Sequence, residues 1–459
     1  MKKWFIASVG SAILASSLFS TSVLAESPSQ QKMELLGYDR EGFFVEEEPN
    51  NTFAQANNII VEDALKGTLP KDDIDMYKIQ VDSDDSFFLY GGSFSESPRI
   101  QLDVTLYDEN KKVIQPLDTS SDEMEGFYAD YSIAPGTYYM AVKDTNNIGS
   151  NEEYAVYTSQ FTFEPYVDRI YGDDRYDTAL QIAMRGWEFG GAEDIILATG
   201  ENFPDALAGA PLAYHKNAPI LLTKKGSLHP AVEEAIFELG VKRVTILGGT
   251  GVISKAVEDK LKALDVKTMR ISGSDRYETA VAISKKLPIN DAAVVVSGKN
   301  YPDALSVASI AAQNGYPILL SAKDSTSAST LTQAKLYPKN YVVGGTGVIS
   351  NSTMNKLNKP TRIAGGDRYL TNAKVIKEFD VPMDFVFVAT GTQFADALTG
   401  SALAAYWGEP LLLTTPHELH PDMKDLLKGS TMGATMLGGP KALNQKVEDD
   451  LWSVLEGNE

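Results

Sequence analysis

The chain has 459 residues, no cysteine and a formal net charge of −21. Such a length predicts several domains, and the lack of cysteine excludes a disulfide framework, a lipid-modified cysteine and thiol chemistry. Residues 26–165 carry nine basic and 28 acidic groups, whereas residues 166–459 carry 30 basic and 34 acidic groups. We therefore expect a domain boundary near Pro165. The first region should repel nucleic acid and other polyanions, and the second can gather arginines locally.

The first 25 residues have the pattern of a secretory signal peptide. Two lysines precede an apolar run from Trp4 to Leu24, and Val23 and Ala25 give the small-residue spacing of a cleavage site. An uncleaved membrane anchor is the alternative, and the serine-rich run disfavours it. No later stretch reaches the roughly 18 apolar residues that span a bilayer. We expect a secreted protein without membrane contact after cleavage, in which residues 26–43 form a leader.

Residues 44–165 have the pattern of an all-β domain. Short apolar runs, such as Phe87–Tyr90, Leu102–Tyr107 and Tyr138–Val142, are separated by Gly, Asp, Asn and Ser. Runs of this length bounded by turn residues are typical of strands.

Three phrases in this region resemble the bacterial pre-peptidase C-terminal domain. They are EEEPNNTFAQA at Glu46–Ala56, DDIDMYKIQV at Asp72–Val81 and APGTYYMAV at Ala134–Val142, in that order. The resemblance implies a small β-sandwich of the kind attached to secreted enzymes. Members of that family sometimes bind Ca²⁺ or help secretion and substrate attachment.

Four side chains in the first two phrases offer hard oxygen ligands of the kind that Ca²⁺ prefers: Glu48, Asn50, Asp73 and Asp75. The same residue types dominate turns and solvated surfaces, so a structural interpretation is the alternative. The sequence leaves both open. Ca²⁺ in this domain is the one cofactor that the sequence suggests, and we expect no other.

Beyond Pro165 four short phrases recur three times in the same order. The first is RIYGDDRYDTA at Arg169–Ala179, RISGSDRYETA at Arg270–Ala280 and RIAGGDRYLTNA at Arg362–Ala373. The others are TGENFPDAL, APILLT and VTILGGTGVIS in the first copy. Successive Asp-Arg-Tyr triplets lie 101 and 92 residues apart. Each copy is therefore nearly a small domain, far longer than a solenoid repeat of about 20–50 residues.

Within a copy, buried strands alternate with helices. The predicted strands of the first copy are Ile195–Ala198, Ile220–Leu222 and Val244–Leu247. The segments with helical spacing are Thr178–Gly190, Asp205–His215 and Ser254–Leu264. This alternation predicts a parallel sheet covered by helices, with Rossmann-like topology. Three such units either form a string or pack around an approximate threefold axis.

These phrases resemble the type 2 cell-wall-binding repeat, which occurs in triplicate in surface proteins and autolysin modifiers of Gram-positive bacteria. The repeats cover residues 166–269, 270–361 and 362–459. The resemblance implies a pseudo-trimer of Rossmann-like units that binds an anionic secondary wall polymer non-covalently. The third copy departs from the pattern twice, because Ala395 replaces a proline and GGPKALN replaces GGTGVIS.

Each copy places an arginine at the start of a helix, where a cation opposes the helix dipole. These are Arg175, Arg276 and Arg368, and each is followed by a candidate polymer-binding tyrosine, Tyr176, Tyr277 or Tyr369. Two kinds of partner remain open. One is an ion pair between repeats with Asp205, Asp303 or Asp396 of the second phrase, TGENFPDAL and its copies. The other is bidentate capture of phosphate, sulfate or carboxylate, to which a guanidinium is well shaped. The preceding aspartates, Asp174, Asp275 and Asp367, fit helix N-caps.

Signatures of catalysis are missing from the sequence. The glycine pairs lack the spacing of nucleotide-binding loops, and HELH at His417–His420 places its histidines three residues apart, not four. Leu-His-Pro, at Leu228–Pro230 and again at Leu419–Pro421, fits a loop that enters a helix. We therefore expect a non-catalytic protein of the Gram-positive surface, held on the wall by the anionic polymer. The alternatives are a regulator or modifier of a wall hydrolase and a small-molecule carrier that uses the Rossmann-like clefts.

Overall fold

The computed structural model describes residues 43–61, 63–83, 86–93, 100–122, 126–161, 165–187 and 190–458. The chain divides into two compact units between residues 163 and 164. The predicted signal peptide, and the predicted leader up to residue 42, lie outside the described residues. None of the helices in the described ranges is long and apolar enough to cross a membrane.

The described residues of the first unit form two β-sheets. In spatial order, the six-stranded sheet consists of β1 (Phe44–Val45), β3 (Ala64–Leu69), β10 (Ser150–Phe161), β5 (Ser86–Ser93), β8 (Gly126–Ser132) and β7 (Asp118–Asp122). The four-stranded sheet consists of β2 (Asn57–Ile60), β4 (Asp75–Val81), β9 (Gly136–Asp144) and β6 (Leu102–Tyr107). Neighbouring strands are antiparallel except in the pairs β1–β3 and β2–β4.

Side chains from both sheets of the first unit share one buried core. Tyr77 and Ile79 come from β4, and Phe87 and Tyr154 come from β5 and β10. Alternate residues of β3 are buried, as expected when one face of a sheet covers a core. The prediction of a β-rich first domain is confirmed, and the three predicted strand runs fall within β5, β9 and β6.

The described residues of the second unit form three four-stranded parallel sheets. In spatial order, the first is β13 (Ile220–Thr223), β12 (Asp194–Thr199), β14 (Arg243–Leu247) and β15 (Lys267–Ile271). The second is β17 (Ile318–Ser321), β16 (Ala292–Ser297), β18 (Lys339–Val343) and β19 (Pro360–Ile363). The third is β21 (Leu411–Thr414), β20 (Phe385–Thr390), β22 (Gly433–Leu437) and β11 (Tyr166–Ile170). One central strand of each sheet, β12, β16 and β20 respectively, is buried along its whole length, as parallel strands covered on both faces should be.

Helices connect these strands. In the first copy they are α1 (Arg175–Trp187), α2 (Gly209–His215), α3 (Pro230–Glu238) and α4 (Lys255–Ala263). In the second copy they are α5 (Arg276–Ser284), α6 (Pro302–Gln313), α7 (Ala328–Ala334) and α8 (Asn351–Met354). In the third copy they are α9 (Arg368–Glu378), α10 (Ala395–Trp407), α11 (Pro421–Leu427) and α12 (Gln445–Leu455), followed by a 3-10 turn at Glu456–Asn458.

Helix α2 begins four residues later than the sequence pattern predicted. The prediction started the helix at Asp205, whereas the helix begins at Gly209. The amide of Ala206 donates to the Phe203 carbonyl and that of Gly209 to the Ala206 carbonyl, so this segment makes tight turns with three-residue spacing. In the other two copies the helix does include the corresponding aspartate.

The strand that carries the opening arginine of each copy completes the sheet of the preceding copy. β15 pairs with β14, and β19 pairs with β18, although each leads into the next copy. β11, which precedes the first copy, pairs with β22 of the third. The predicted repeat boundaries at residues 270 and 362 therefore pass through strands, and the three sheets are linked in a closed ring.

Helices α2, α6 and α10, one from each copy, pack against one another at the centre of the unit. They are rich in small residues, which allow close approach. In α10, a Cβ added at Gly400 would lie 2.0 Å from Leu437 of β22. The side chain of Gln313 at the end of α6 donates to the Glu409 carbonyl of the third copy, 3.0 Å away. The three copies thus share one hydrophobic core.

Candidate functional site

The aspartates of the three Asp-Arg-Tyr triplets cap helices. Asp275 Oδ1 accepts a hydrogen bond from the Glu278 amide at 2.9 Å, and Asp367 Oδ1 accepts one from the Leu370 amide at 2.8 Å. Asp174 makes the equivalent bond at 3.1 Å. These caps fix α1, α5 and α9 so that the arginine is the first residue of each helix.

Each of these arginines is held by a glycine carbonyl beyond the neighbouring strand. Nη1 of Arg175 donates to the Gly200 carbonyl at 2.7 Å, and Nη1 of Arg276 donates to the Gly298 carbonyl at 2.7 Å. Arg368 donates to the Gly391 carbonyl in the same way. Across the described residues, these are the hydrogen bonds that the three guanidinium groups make, so their other N–H donors remain available for a ligand.

The tyrosines pack against the glycines whose carbonyls bind the arginines. A Cβ at Gly200 would lie 2.4 Å from the Tyr176 ring, and at Gly298 it would lie 2.6 Å from Tyr277, so each ring packs flat on a glycine. Tyr176 also stacks on His229, with ring centroids 4.4 Å apart. The ring of Tyr176 is buried, whereas Tyr277 and Tyr369 are half-buried. Direct contact between these tyrosines and a polymer stays a prediction.

Two aspartates of the second phrase, Asp303 and Asp396, lie near the arginine of a different repeat. Asp303 and Asp396 are only 7% and 8% exposed, and this burial raises the pKa of each carboxyl to about 6. The positive charge that opposes this shift is Arg368 for the Asp303 pKa and Arg175 for the Asp396 pKa. In these two cases an arginine therefore acts electrostatically on an aspartate of another copy. In the same order, Asp205 corresponds to Arg276.

A direct ion pair between these arginines and aspartates is not found within 4.0 Å in the part of the chain that the structure describes. Each carboxylate lies instead against the first glycine of the Gly-Gly pair in its own copy. The position of a Cβ at Gly344 is 2.6 Å from Asp303 Oδ2, and at Gly248 it is 3.0 Å from Asp205 Oδ2. The inter-repeat ion pair that the sequence predicted stays a prediction.

Aromatic side chains from the three copies form one cluster, which lies beside Arg175. Phe203, Tyr301 and Phe394 occupy the same position in the three copies of the second phrase. Their ring centroids lie 5.2, 5.9 and 6.2 Å apart. The Arg175 guanidinium lies 5.7 Å from the centre of the Phe394 ring. The sequence analysis missed this cluster, although an aromatic residue at one position in all three copies was its signal.

The opening arginines of the repeated phrase have a different, structural role. Arg270 Nη1 donates to the Gly248 carbonyl at 2.8 Å, and its Nη2 pairs with Glu258 at 2.9 Å. Arg169 makes the equivalent contacts with Gly438 and Glu448 of the third copy. These residues clamp the Gly-Gly loop of the preceding copy. Thus the opening arginine of the phrase has a structural role, and the arginine of the Asp-Arg-Tyr triplet belongs to the candidate site.

The repeated Leu-His-Pro segments enter helices, as predicted. His229 Nδ1 accepts a hydrogen bond from the Ala231 amide at 3.3 Å at the start of α3, and His420 does the same at the start of α11. Asp174, Asp177 and His229 come close enough to suggest a metal site. However, Nδ1 of His229 uses its lone pair on the helix, so Nε2 carries the proton of the neutral ring and has no lone pair for a metal. His417 of the HELH segment is exposed.

Comparison with known proteins follows the same division of the chain. The family model called cell wall binding domain 2 (CWB2) matches residues 169–258, 270–354 and 362–448, which together exceed half of the chain. The chain belongs to the CWB2 family. Each matched segment begins at the opening arginine of one repeat and contains one arginine site.

Two curated relatives come from Bacillus subtilis (strain 168). The N-acetylmuramoyl-L-alanine amidase LytC is 35% identical over 294 residues, which cover 63% of this chain and 59% of LytC. The amidase enhancer is 33% identical over 288 residues, which cover 62% of this chain and 40% of the enhancer. The chain thus spans about half the length of these relatives. Among solved structures, Cwp8 from Clostridium difficile superposes with a TM-score of 0.59 at 29% identity, covering 69% of this chain and 58% of that one.

The first unit, which the CWB2 match does not include, holds a separate cluster of oxygen ligands. Glu48, Asp73 and Asp75 each place a carboxylate oxygen within 4.8 Å of the others. Asn50 is fully buried, and its amide nitrogen is held by Asn57 at 3.4 Å. The structure therefore brings the carboxylates predicted from sequence together. The backbone N–H of Asn50 donates to Glu48 Oε2 at 2.9 Å.

Four buried oxygens around this cluster have no hydrogen-bond donor within the part of the chain that the structure describes. They are Glu46 Oε2, Asn50 Oδ1, Asp73 Oδ2 and Asp75 Oδ1. Burial and the neighbouring Glu46 raise the pKa of Asp75 to about 9. Tyr154 donates to the other oxygen of Asp75 at 2.6 Å and so fixes its orientation. Such a set fits Ca²⁺, which takes hard oxygen ligands. The sequence analysis missed Glu46, whose burial depends on strand pairing.

Proposed function

We propose that this CWB2 protein is a secreted, non-catalytic protein of the Gram-positive surface. In this proposal its second unit is a pseudo-trimer of Rossmann-like repeats that binds an anionic secondary wall polymer non-covalently. The observation that carries the proposal is the set of three arginines, each anchored through one nitrogen to a glycine carbonyl and each with further N–H donors available for a ligand.

The position of these arginines favours an extended anionic ligand. All three lie at the carboxyl ends of parallel strands, where α/β folds usually bind ligands. A guanidinium offers paired donors that match phosphate, sulfate and carboxylate. Three such groups around one aromatic cluster can engage successive charges of one polymer. Several weak contacts on one rigid unit then multiply through effective concentration.

A regulator of a wall hydrolase is the second candidate. It is favoured by similarity to the amidase enhancer and to LytC, both named for amidase activity or its enhancement. The regions shared with these relatives are about the size of the second unit alone. Wall binding is therefore the property that this chain is most simply expected to share with them, and a contact with a hydrolase would require the first unit. No particular observation favours a small-molecule carrier.

We infer that the first unit binds Ca²⁺ through Glu48, Asn50, Asp73 and Asp75, assisted by Glu46. The four orphaned oxygens support this inference. A bound Ca²⁺ would neutralise carboxylates that otherwise repel one another in a buried place. It would also displace the proton that the raised pKa of Asp75 keeps on the carboxyl near neutral pH.

A fragment experiment tests the assignment of wall binding to the second unit. Residues 164–459 and residues 26–163 are produced separately, checked for cooperative unfolding, and sedimented with purified Bacillus subtilis walls. We expect the first fragment to sediment with walls and the second to stay in solution, because most of the excess negative charge lies before residue 166. Binding by residues 26–163 with none by residues 164–459 would overturn the proposal.

A further inference from the structure

The three rings of the aromatic cluster come together where the loops that hold the arginines enter the central helices. Phe203 lies in the turns before α2, whereas Tyr301 and Phe394 immediately precede α6 and α10. The rings are inclined to one another by 66°, 61° and 58°, so no two of them stack face to face. Each side chain rests on the hydrophobic core of the unit and is partly exposed to solvent.

The start of a helix does not account for aromatic residues at these positions. Tyr301 and Phe394 occupy the N-cap positions of α6 and α10, and neither side chain bonds to an amide of its helix. Ser, Thr, Asp and Asn normally fill an N-cap, because their side chains accept hydrogen bonds from the first-turn amides. The aromatic residues therefore stand here against the local preference of the chain.

Core packing does not account for them either. At one fully buried position of the central strands the three repeats have Ile196, Val294 and Phe387, because any apolar side chain that fills the space serves there. At the partly exposed position of the cluster the repeats have an aromatic ring three times. The hydroxyl is not the shared feature, since Tyr301 alone has one, and it donates to the Thr392 carbonyl of the third copy at 2.5 Å. What the three copies share is the flat ring.

Positive charge borders these rings. The Arg175 guanidinium lies over the Phe394 ring, 5.7 Å from its centre. In each copy, the glycine whose carbonyl holds an arginine precedes the aromatic residue by three positions. Three residues span at most about 11 Å, so each arginine Nη1 lies within roughly 14 Å of the Cα of a cluster residue. A partly exposed aromatic surface thus lies among donors for oxyanions.

We propose that the aromatic cluster binds a sugar ring of the anionic wall polymer, while the arginines bind the oxyanions on either side of that ring. This inference rests on the proposed function of the second unit and narrows its ligand to a polymer that contains sugar rings. One face of a sugar ring consists of C–H groups, which pack on the negatively polarised face of an aromatic ring. An anionic chain without sugar rings gains the arginine contacts alone.

The test compares two soluble polymers that carry the same anionic group. Dextran sulfate has its sulfates on sugar rings, whereas polyvinyl sulfate has them on a hydrocarbon chain. The affinity of the full chain for each polymer is measured at constant pH and ionic strength, beside sedimentation with purified Bacillus subtilis walls. The affinity ratio, dextran sulfate over polyvinyl sulfate, is compared between variants, because the arginine–sulfate contacts and the charge density of each polymer then cancel.

The test variant is Phe203→Leu/Tyr301→Leu/Phe394→Leu, which keeps apolar side chains and removes the rings. The control is Phe237→Leu, which removes a ring from a residue of α3 that is 76% exposed. A second control, Tyr301→Phe, keeps the ring and loses the hydrogen bond to Thr392. Thermal unfolding checks that each variant is folded, and Phe203→Leu alone replaces the triple change if the triple variant does not fold.

We expect the triple variant to lower the affinity ratio by roughly two- to tenfold for each ring that contacts the sugar, and to bind walls more weakly. Phe203→Leu alone should lower the ratio by one such factor, and both controls should keep the wild-type ratio. If a folded variant loses affinity for both polymers equally, the rings only support the arginines, and the inference is wrong although the proposed function stands.

Three other outcomes also decide the question. Unchanged binding of walls and of both polymers by the triple variant would assign the cluster to another partner, such as a protein, and overturn the inference. Wild type that binds walls but not dextran sulfate would overturn it as well, because the proposed site takes sugar rings flanked by oxyanions. Wild type that binds neither walls nor either polymer would refute the proposed function itself.

Discussion

Replacing Arg175, Arg276 and Arg368 together by lysine should release the protein from walls although the net charge is unchanged. In the structure each guanidinium holds a glycine carbonyl with one nitrogen and leaves its other donors available for a ligand. A lysine ammonium is a single point of charge, so it cannot bind the glycine carbonyl and also present paired donors to a ligand. Each charge-assisted hydrogen bond lost costs roughly 1.5–3 kcal/mol. One site is then weakened roughly ten- to 150-fold, and three sites on one rigid unit multiply that loss.

The assay is co-sedimentation with walls, carried out beside thermal unfolding of the same protein. The control is Arg185→Lys, because Arg185 is about half exposed and pairs with the partly exposed carboxylate of Asp168. The control should bind walls as wild type does, and the binding of both should weaken with added salt because screening weakens charge contacts. Unchanged wall affinity in the triple variant, together with a lowered Tm, would refute the reasoning: the arginines would then be scaffold.

Two further predictions concern stability. Ca²⁺ should raise the unfolding temperature of the first unit, by an amount equivalent to about 2.7 kcal/mol at a hundredfold excess over Kd. Asp73→Asn should abolish this increase, and an equal increase in the variant would exclude the proposed site. Gly298→Ala should lower the Tm of the second unit, because the added Cβ would lie 2.6 Å from the Tyr277 ring and such overpacking costs about 1–3 kcal/mol. Gly226→Ala, where a Cβ meets nothing within 4 Å, is the control, and equal Tm values in the two variants would contradict the proposed packing.

The strands and helices of the repeats could be predicted from the sequence because each phrase has a local cause. Apolar runs such as Ile195–Ala198 form buried strands, and an aspartate before an arginine caps a helix. The assignment of strands to sheets is not local. β11 pairs with β22 at the far end of the unit, so the ring closes through a contact that no phrase within one copy indicates.

The residues of the candidate sites could be predicted from the sequence, but which of them lie near one another could not. The sequence identified both the arginines and the aspartates, yet only the ring arrangement brings Arg175 near Asp396 and Arg368 near Asp303. The metal cluster shows the same limit. Glu46 lies only two residues before Glu48, but its burial depends on the neighbouring strand, where Gly67 leaves room for its carboxylate.

The measurement that tests the central claim most directly compares intact walls with walls from which acid has removed the anionic polymer. The full chain is sedimented with each, at pH 6 and low ionic strength, and the polymer released by the acid is then added back as a soluble competitor. The account predicts binding to intact walls, loss of binding to extracted walls, and release from intact walls by the free polymer. Equal binding to intact and extracted walls, unaffected by the polymer, would contradict it.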